Sequence, residues 1–386
     1  MQKVKVNIYL ERIRRNAEAF KRLTKRSLYA VVKADAYGHG AEEVVNALEG
    51  VADGFAVALI EEGLAVRHAA CGKEILVFTP PTEEEEIFVL AKNGFSVTVD
   101  GLETAMLVVK AVNRFKLSIS VHLKINTGMN RYGVEADETE EICRFLKKYP
   151  RVSLKGVYTH LAECSLVRAR KQLALFASAV SVCKGHYPFV VAHTGGSYAA
   201  LLGEDFLFDA VRVGIGLYGY FPCSPSEKTG VSQAVADGLS LQKGMAVYAK
   251  TVARRTFEKG SVGYGEECFD GKGLLSVCRF GYADGFLRQR QNGLDGSEDF
   301  ANELCMDACI RWGDFAKGCY TEIMSDAEKT ALSVGTIPYE VLCAATRRAE
   351  RIYDGETVFC GNGRTDDGGE EKGTSHLGES TTGGSG

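Results

Sequence analysis

The sequence predicts an α/β fold: a (β/α)8 TIM barrel followed by a smaller, mostly β C-terminal domain. Eight apolar runs recur along the first 220 residues with amphipathic or loop segments between them. Most of these runs are nearly continuous in apolar residues, the pattern of parallel strands covered on both faces. Polar and glycine residues gather at their C-terminal ends (Lys33, Lys124, His160, Ser197, Arg212), the end at which barrels of this kind carry their sites.

In chain order, LERIRRNAEAFKRL opens as a helix, with Leu10, Ile13, Ala17, Phe20 and Leu23 at helical spacing on one face. The strand runs are SLYAVVKA (27–34), GFAVALI (54–60), EILVFTPP (74–81), FSVTVD (95–100), SISVHLKIN (118–126), LKGVYTH (154–160), FVVAHTG (189–195) and FDAVRVGIG (208–216). Amphipathic stretches such as GAEEVVNALEG and ETEEICRFLKKY separate them. Past Tyr220, FPCSPSEKTG reads as a linker, and MAVYAKTVARRTF and GLLSVCRFGYADG read as strands with glycine turns. The expected division is a barrel over 1–229, a β domain over 230–354 and a polar, glycine-rich tail over 355–386 that is expected to be disordered. Between GYADG and CMDA the chain reads FLRQRQNGLDGSEDFANEL, short and polar, and 310–335 also reads weakly as strand.

At 386 residues the chain exceeds the usual size of a single core, so two domains are expected. The net charge of −4, without a basic stripe, argues against nucleic acid as the main partner. No apolar run reaches the roughly 18 residues of a membrane span, and the N-terminus lacks the charged start and apolar block of a secretory signal. A cytoplasmic protein is the default expectation. The twelve cysteines are dispersed without a CxxC pair, which argues against structural zinc and suggests reduced, mostly buried thiols.

The chemistry centres on VVKADAYGHG (31–40), where an apolar strand ends at Lys33 in a glycine-punctuated loop. A lysine there either snorkels from the strand end or loses its charge in a Schiff base with an aldehyde cofactor such as pyridoxal 5'-phosphate. On residue types alone the two readings stand level. Tyr37 is within reach of a phosphate on the second reading. Arg131 alone reads as a loop cation, and His160 alone as a satisfied core residue.

The string VVKADAYGHG closely resembles the cofactor-lysine signature of the alanine racemase family, and the resemblance continues in order over most of residues 1–354. KINTGMNRYG (124–133), YTHLAE (158–163), HTGGSYAALL (193–202), RVGIGLYGY (212–220), SVGYGEE (261–267), GYADG (281–285), CMDA (305–308) and TIPYEVLC (336–343) each match a family motif. The resemblance implies an isomerase that interconverts L- and D-alanine for cell-wall peptidoglycan, using pyridoxal 5'-phosphate on Lys33. It implies that Tyr37, Ser197, Gly214, Ile215 and Tyr339 serve the phosphate, His160 lies near the ring, and Arg212 faces the pyridine nitrogen. Gly196 stands where the family often has asparagine. Arg131 would contact the cofactor's phenolic oxygen and the substrate, oriented by Lys124, which the family often carries as a carbamate. Lys33 and Tyr264 would be the two bases. Tyr282 and Met306 would meet the substrate, and these two with Tyr264 would come from the partner of a homodimer.

An arginine opposite the pyridine nitrogen is always protonated and accepts no proton, so the nitrogen stays unprotonated and the ring is a weaker electron sink. That suits proton removal and return at Cα. It argues against the barrel decarboxylases of basic amino acids, which place an acid there. Two further readings are a racemase of broader choice, such as serine, and a non-catalytic cofactor-binding barrel if the β domain is defective. SVGYG and GYADG weigh against the latter.

Overall fold

The computed structural model describes residues 4–162, 164–264, 268–288, 300 and 304–355, so the expected tail falls almost wholly outside the described residues. The chain opens with strand β1 (Lys5–Ile8) and helix Leu10–Thr24. Eight short parallel strands follow: β2 (Ser27–Val31), β3 (Gly54–Val57), β4 (Glu74–Val77), β5 (Ser96–Val99), β6 (Ile119–Lys124), β7 (Val152–Tyr158), β8 (Val191–His193) and β9 (Ala210–Val213). Their order is β8-β7-β6-β5-β4-β3-β2-β9. The ring closes between β8 and β9, where the Asp209 amide donates to Ala192 O at 2.9 Å and the Arg212 amide to Gly195 O at 3.2 Å. All eight expected runs contain a strand. Most strands are shorter than their runs.

The first helix buries Ile13, Ala17 and Phe20 as its spacing requires, while Leu23 is exposed. Asn16 is buried as well. Its amide donates to Leu217 O at 2.9 Å and Gln242 O at 2.8 Å, so a polar residue on the apolar face ties the helix to the end of the barrel.

The second sheet is built from β10 (Met245–Ser261), β11 (Cys268–Cys278), β12 (Cys309–Trp312), β13 (Tyr320–Met324) and β14 (Glu350–Tyr353), and it recruits β1 from the N-terminus. β1 runs antiparallel to β10 and parallel to β14, so the first strand of the chain is an interior strand of the C-terminal sheet, flanked on both sides. Helix Gln233–Leu239 precedes this sheet and packs against helix Leu10–Thr24. The segment 310–335 is corrected from weak strand to ordered structure: β12 and β13 flank its turn and helix Ala327–Val334 follows. Arg311 made the sequence look unlike a strand. It is buried and stacks over Phe300 and Phe315, and its guanidinium donates to Glu322 O at 2.9 Å. Residues 289–299 and 301–303 lie outside the described residues.

The cysteines depart from the expectation of reduced, mostly buried thiols. Among the described residues ten are free, of which only Cys143, Cys183, Cys278 and Cys309 are buried, and Cys319 is disulfide-bonded. Among the described residues no helix is long and apolar enough to cross a membrane.

Candidate active site

At the C-terminal mouth of the barrel lies a cavity of about 280 Å³. Its lining includes Lys33, Lys124, Arg131 and Arg212, and no carboxylate among the described residues. Ten residues named from the sequence converge on it: Lys33, Tyr37, Lys124, Arg131, His160, Ser197, Arg212, Gly214, Ile215 and Tyr339.

Lys33 follows β2 by two residues and takes no ion pair or hydrogen bond among the described residues. Burial, then the charge of Arg131, lower its pKa, with Glu62 opposing. An unprotonated amine is therefore more accessible here than on a surface lysine. The next four residues, Ala34 to Tyr37, form a left-handed turn with φ between +52° and +54° and no glycine among them. Left-handed backbone costs about 1–2 kcal/mol per L-residue, so the surroundings must hold it. Glu62 accepts from the Ala34 amide at 2.7 Å, and the Asp35 carboxylate accepts from the Ala41 amide at 2.8 Å. Arg351 on β14 pairs with Asp35 and donates to Gly38 O at 3.0 Å. The C-terminal domain thus braces the loop that begins at Lys33.

Across the cavity stand hydroxyls and backbone amides. Ser197 Oγ accepts from the amides of Gly214, at 3.3 Å, and Gly216, at 3.0 Å. Burial pushes the Tyr339 phenol up to about 12 and the Tyr37 phenol further still, so both remain neutral O–H donors. Neither hydroxyl has a hydrogen-bond partner among the described residues, and the two rings lie 5.9 Å apart. Gly214 makes the arrangement possible, because a Cβ there would stand 2.6 Å from Tyr37 Oη. Free phenols, a serine hydroxyl and a glycine-lined backbone in a cationic, carboxylate-free cavity fit a phosphate.

Arg212 is held from beneath by groups that sequence reasoning missed. Its Nη1 donates to His193 Nδ1 at 2.5 Å and to His193 O at 2.9 Å, and its Nη2 donates to Thr159 O at 2.5 Å. Because His193 Nδ1 accepts, its proton sits on Nε2, which donates to His122 Nδ1 at 3.0 Å. His122 Nε2 in turn donates to Glu74 Oε1 at 3.1 Å. Burial, then Arg212, hold His193 neutral, and it is stacked between Tyr29 and Tyr158 at 5.6 and 5.2 Å. Glu74 also accepts from Tyr29 Oη at 2.5 Å and from Ser96. Gly156 leaves room for this line of groups, since a Cβ would meet His122 Nδ1 at 2.2 Å. The one available signal was that His122, His193 and Glu74 are ionisable groups within apolar strand runs.

The remaining cationic groups share the wall. Burial lowers Lys124 to about 7, helped by Arg212 and Arg131, and its Nζ donates to Ile125 O at 2.9 Å. It makes no hydrogen bond to Arg131 among the described residues. Burial and the charges of Arg212 and Lys124 bring His160 down to about 3, so its imidazole is neutral. Arg131 lies over the Tyr132 ring at 5.0 Å.

Tyr264, Tyr282 and Met306 are not brought to this cavity within one chain. Tyr264, in the turn between β10 and β11, is 73 % exposed, and Met306 is 54 % exposed. Tyr282 and Met306 do lie side by side: the Tyr282 amide donates to Cys305 O at 3.1 Å and the Ala283 amide to Met306 O at 3.0 Å. Asp284 fixes this corner through Arg279 at 3.1 Å and Arg348 at 3.0 Å.

A barrel whose C-terminal mouth gathers a lysine amine, buried cations, unpaired phenols and a glycine-lined backbone is of the class that holds pyridoxal phosphate. Family models for the alanine racemase N-terminal and C-terminal domains match residues 8–222 and 244–353. The chain belongs to the alanine racemase family. It is 33 % identical over 382 residues to the alanine racemase of Carboxydothermus hydrogenoformans, covering 92 % of this chain and all of that protein. The Listeria innocua serovar 6a enzyme is 32 % identical over 352 residues, 85 % of this chain and 91 % of that one. Among solved structures, alanine racemase from Clostridium difficile 630 superposes with a TM-score of 0.82 at 30 % identity, covering 92 % of this chain and 97 % of that chain. The Bacillus anthracis alanine racemase with bound L-Ala-P has a TM-score of 0.80 at 27 % identity, covering 94 % and 97 %.

Proposed function

We propose that this chain is a pyridoxal 5'-phosphate-dependent alanine racemase, interconverting L- and D-alanine in the cytoplasm to supply D-alanine for peptidoglycan. The observation that carries the reading is the cavity itself, with two arginines and two lysines, no carboxylate among its described lining residues and the amine of Lys33 unpaired. Such a site suits a ligand with a phosphate at one end and an amino-acid carboxylate at the other.

Lys33 would hold the cofactor, with Tyr37, Ser197, Tyr339 and the amides of Gly214 and Ile215 at its phosphate, and His160 beside the ring. Bound pyridoxal phosphate supplies an electron sink that acidifies the Cα proton of an attached amino acid. Arg212, fixed by His193 and Thr159, presents a protonated guanidinium and no acid to the pyridine nitrogen. Arg131 would receive the substrate carboxylate. Burial leaves Lys124 a neutral fraction near pH 7, the form that adds carbon dioxide, so a carbamate at Lys124 could orient Arg131.

Lys33 holds or gives the proton on one face of Cα, and Tyr264 does so on the other. The exposure of Tyr264 and Met306, and their absence from the lining of their own cavity, support a homodimer in which Tyr264, Tyr282 and Met306 complete the partner's site. The test is direct. Purified protein with pyridoxal phosphate is given L-alanine and the product is resolved on a chiral column; D-alanine accumulating to near equality supports the reading. Conversion of L-serine with L-alanine untouched would replace it with the broader-racemase reading, and no conversion of either would remove it.

A further inference from the structure

His39 follows the left-handed turn of Ala34–Tyr37 and does not line the cavity. Its ring is fully buried, and Nδ1 lies 3.0 Å from both Ala36 O and Tyr37 O. Both partners are carbonyls, so Nδ1 carries the proton and donates, and Nε2 is bare. Burial brings its pKa down to about 4, so the ring stays neutral. Nε2 has no hydrogen-bond partner among the described residues. Burying a nitrogen unpartnered costs free energy, and an apolar side chain would fill the same place without that cost. The ring therefore earns its place through Nδ1.

The two carbonyls that Nδ1 gathers belong to the far end of the left-handed turn, at Tyr37. The near end has supports of its own, since Glu62 accepts from the Ala34 amide and Asp35 accepts from the Ala41 amide. At the far end the side-chain donors are His39 and Arg351, which reaches Gly38 O. The His39 amide adds a bond to Ala36 O at 3.1 Å. The imidazole also stacks on Tyr218 at 4.5 Å, and Tyr218 in turn lies 4.8 Å from the Tyr37 ring. Tyr218 Oη donates to Val31 O at 3.0 Å, which ties this column of rings to the end of β2.

We propose that His39 is a positioning residue for cofactor binding: through the carbonyls of Ala36 and Tyr37 it holds the Tyr37 hydroxyl at the cavity, ready for a phosphate. The inference rests on the proposed function, in which Tyr37 serves the phosphate of pyridoxal phosphate. Because Lys33 stands at the separately supported end of the turn, the contribution of His39 is specific to the phosphate and does not extend to the aldehyde. Asparagine and leucine are alike in shape and both remove the ring. The asparagine amide lies where Nδ1 does and donates to both carbonyls, which leucine cannot do. Glutamine places its amide on the Nε2 side instead.

The experiment dialyses full-chain holoenzymes against a dilution series of pyridoxal phosphate, reads bound cofactor from its visible absorbance, and repeats the series with pyridoxal, which lacks the phosphate. His39→Leu should raise the Kd for pyridoxal phosphate about tenfold and that for pyridoxal less than about twofold. His39→Gln should behave as His39→Leu, and His39→Asn should stay within about threefold of wild type. In a Tyr37→Phe background His39→Leu should add less than about twofold, because both changes act through one hydroxyl. Equal losses for pyridoxal phosphate and pyridoxal would overturn the proposal and leave His39 a structural residue. So would a His39→Asn protein as weak as His39→Gln, or a His39→Leu protein that binds as wild type while Tyr37→Phe does not. A Tyr37→Phe protein that binds pyridoxal phosphate as tightly as wild type would instead overturn the phosphate role of Tyr37 on which the proposal rests.

Discussion

Glu74→Gln tests whether the buried line beneath Arg212 is anchored by a charge. Burial would raise the pKa of Glu74, but hydrogen bonds from His122, Ser96 and Tyr29 outweigh it and hold the carboxyl at about 2 instead of the usual 4.5. At 1.36 kcal/mol per pH unit, the ionised form contributes roughly 3 kcal/mol to folding at neutral pH. The folded pKa is depressed, so this contribution is complete above about pH 4.5 and disappears as the pH falls through about 2. Glutamine preserves the shape but removes the charge, and one hydroxyl donor now faces an amide N–H. Urea unfolding of the two holoproteins at pH 7 should place the variant about 2–3 kcal/mol below wild type. The gap should fall to less than half that by pH 3, because only the wild type loses a carboxylate. A gap below 0.5 kcal/mol at pH 7, or one that does not change with pH, would refute the electrostatic account. In the same variant kcat should fall with little change in KM, since the relay touches Arg212 and not the substrate.

Lys33→Ala should lose both racemisation and the visible absorbance of lysine-bound cofactor, and racemisation at the wild-type rate would remove Lys33 from the chemistry. Gly214→Ala places a Cβ 2.6 Å from Tyr37 Oη, so the cofactor Kd should rise about tenfold, ~1.4 kcal/mol, in an equilibrium titration. Arg212→Glu should reduce D-alanine formation by orders of magnitude and divert turnover to transamination, read as pyruvate; unchanged rate and product would mean that Arg212 does not face the ring.

Much of the barrel and its site was legible because the signals were local. Each strand is an apolar run, and Lys33, Ser197 and Arg212 stand out as polar residues where such runs end. What was missed depended on distant partners. β1 is four residues long and becomes a strand only beside β10, some 240 residues later, and beside β14. β12 was obscured by Arg311, which is buried on aromatic rings contributed by other segments. The left-handed turn over Ala34–Tyr37 contains no glycine to announce it, and its supports, Glu62 and Arg351, are remote. His122, His193 and Glu74 lie on three strands that only the closed barrel aligns.

The central claim is that Lys33 and Tyr264 serve opposite faces of one carbon. It is tested most directly by Tyr264→Phe in deuterium oxide, following Cα exchange of each alanine enantiomer by NMR alongside chiral analysis. Phenylalanine keeps the ring and removes the hydroxyl, and Tyr264 does not line the cavity of its own chain, so cofactor binding should survive. Racemisation should collapse while D-alanine, the enantiomer expected to be served by Lys33, continues to exchange and L-alanine does not. Exchange of both enantiomers at similar rates, or racemisation persisting near the wild-type rate, would contradict the two-base account.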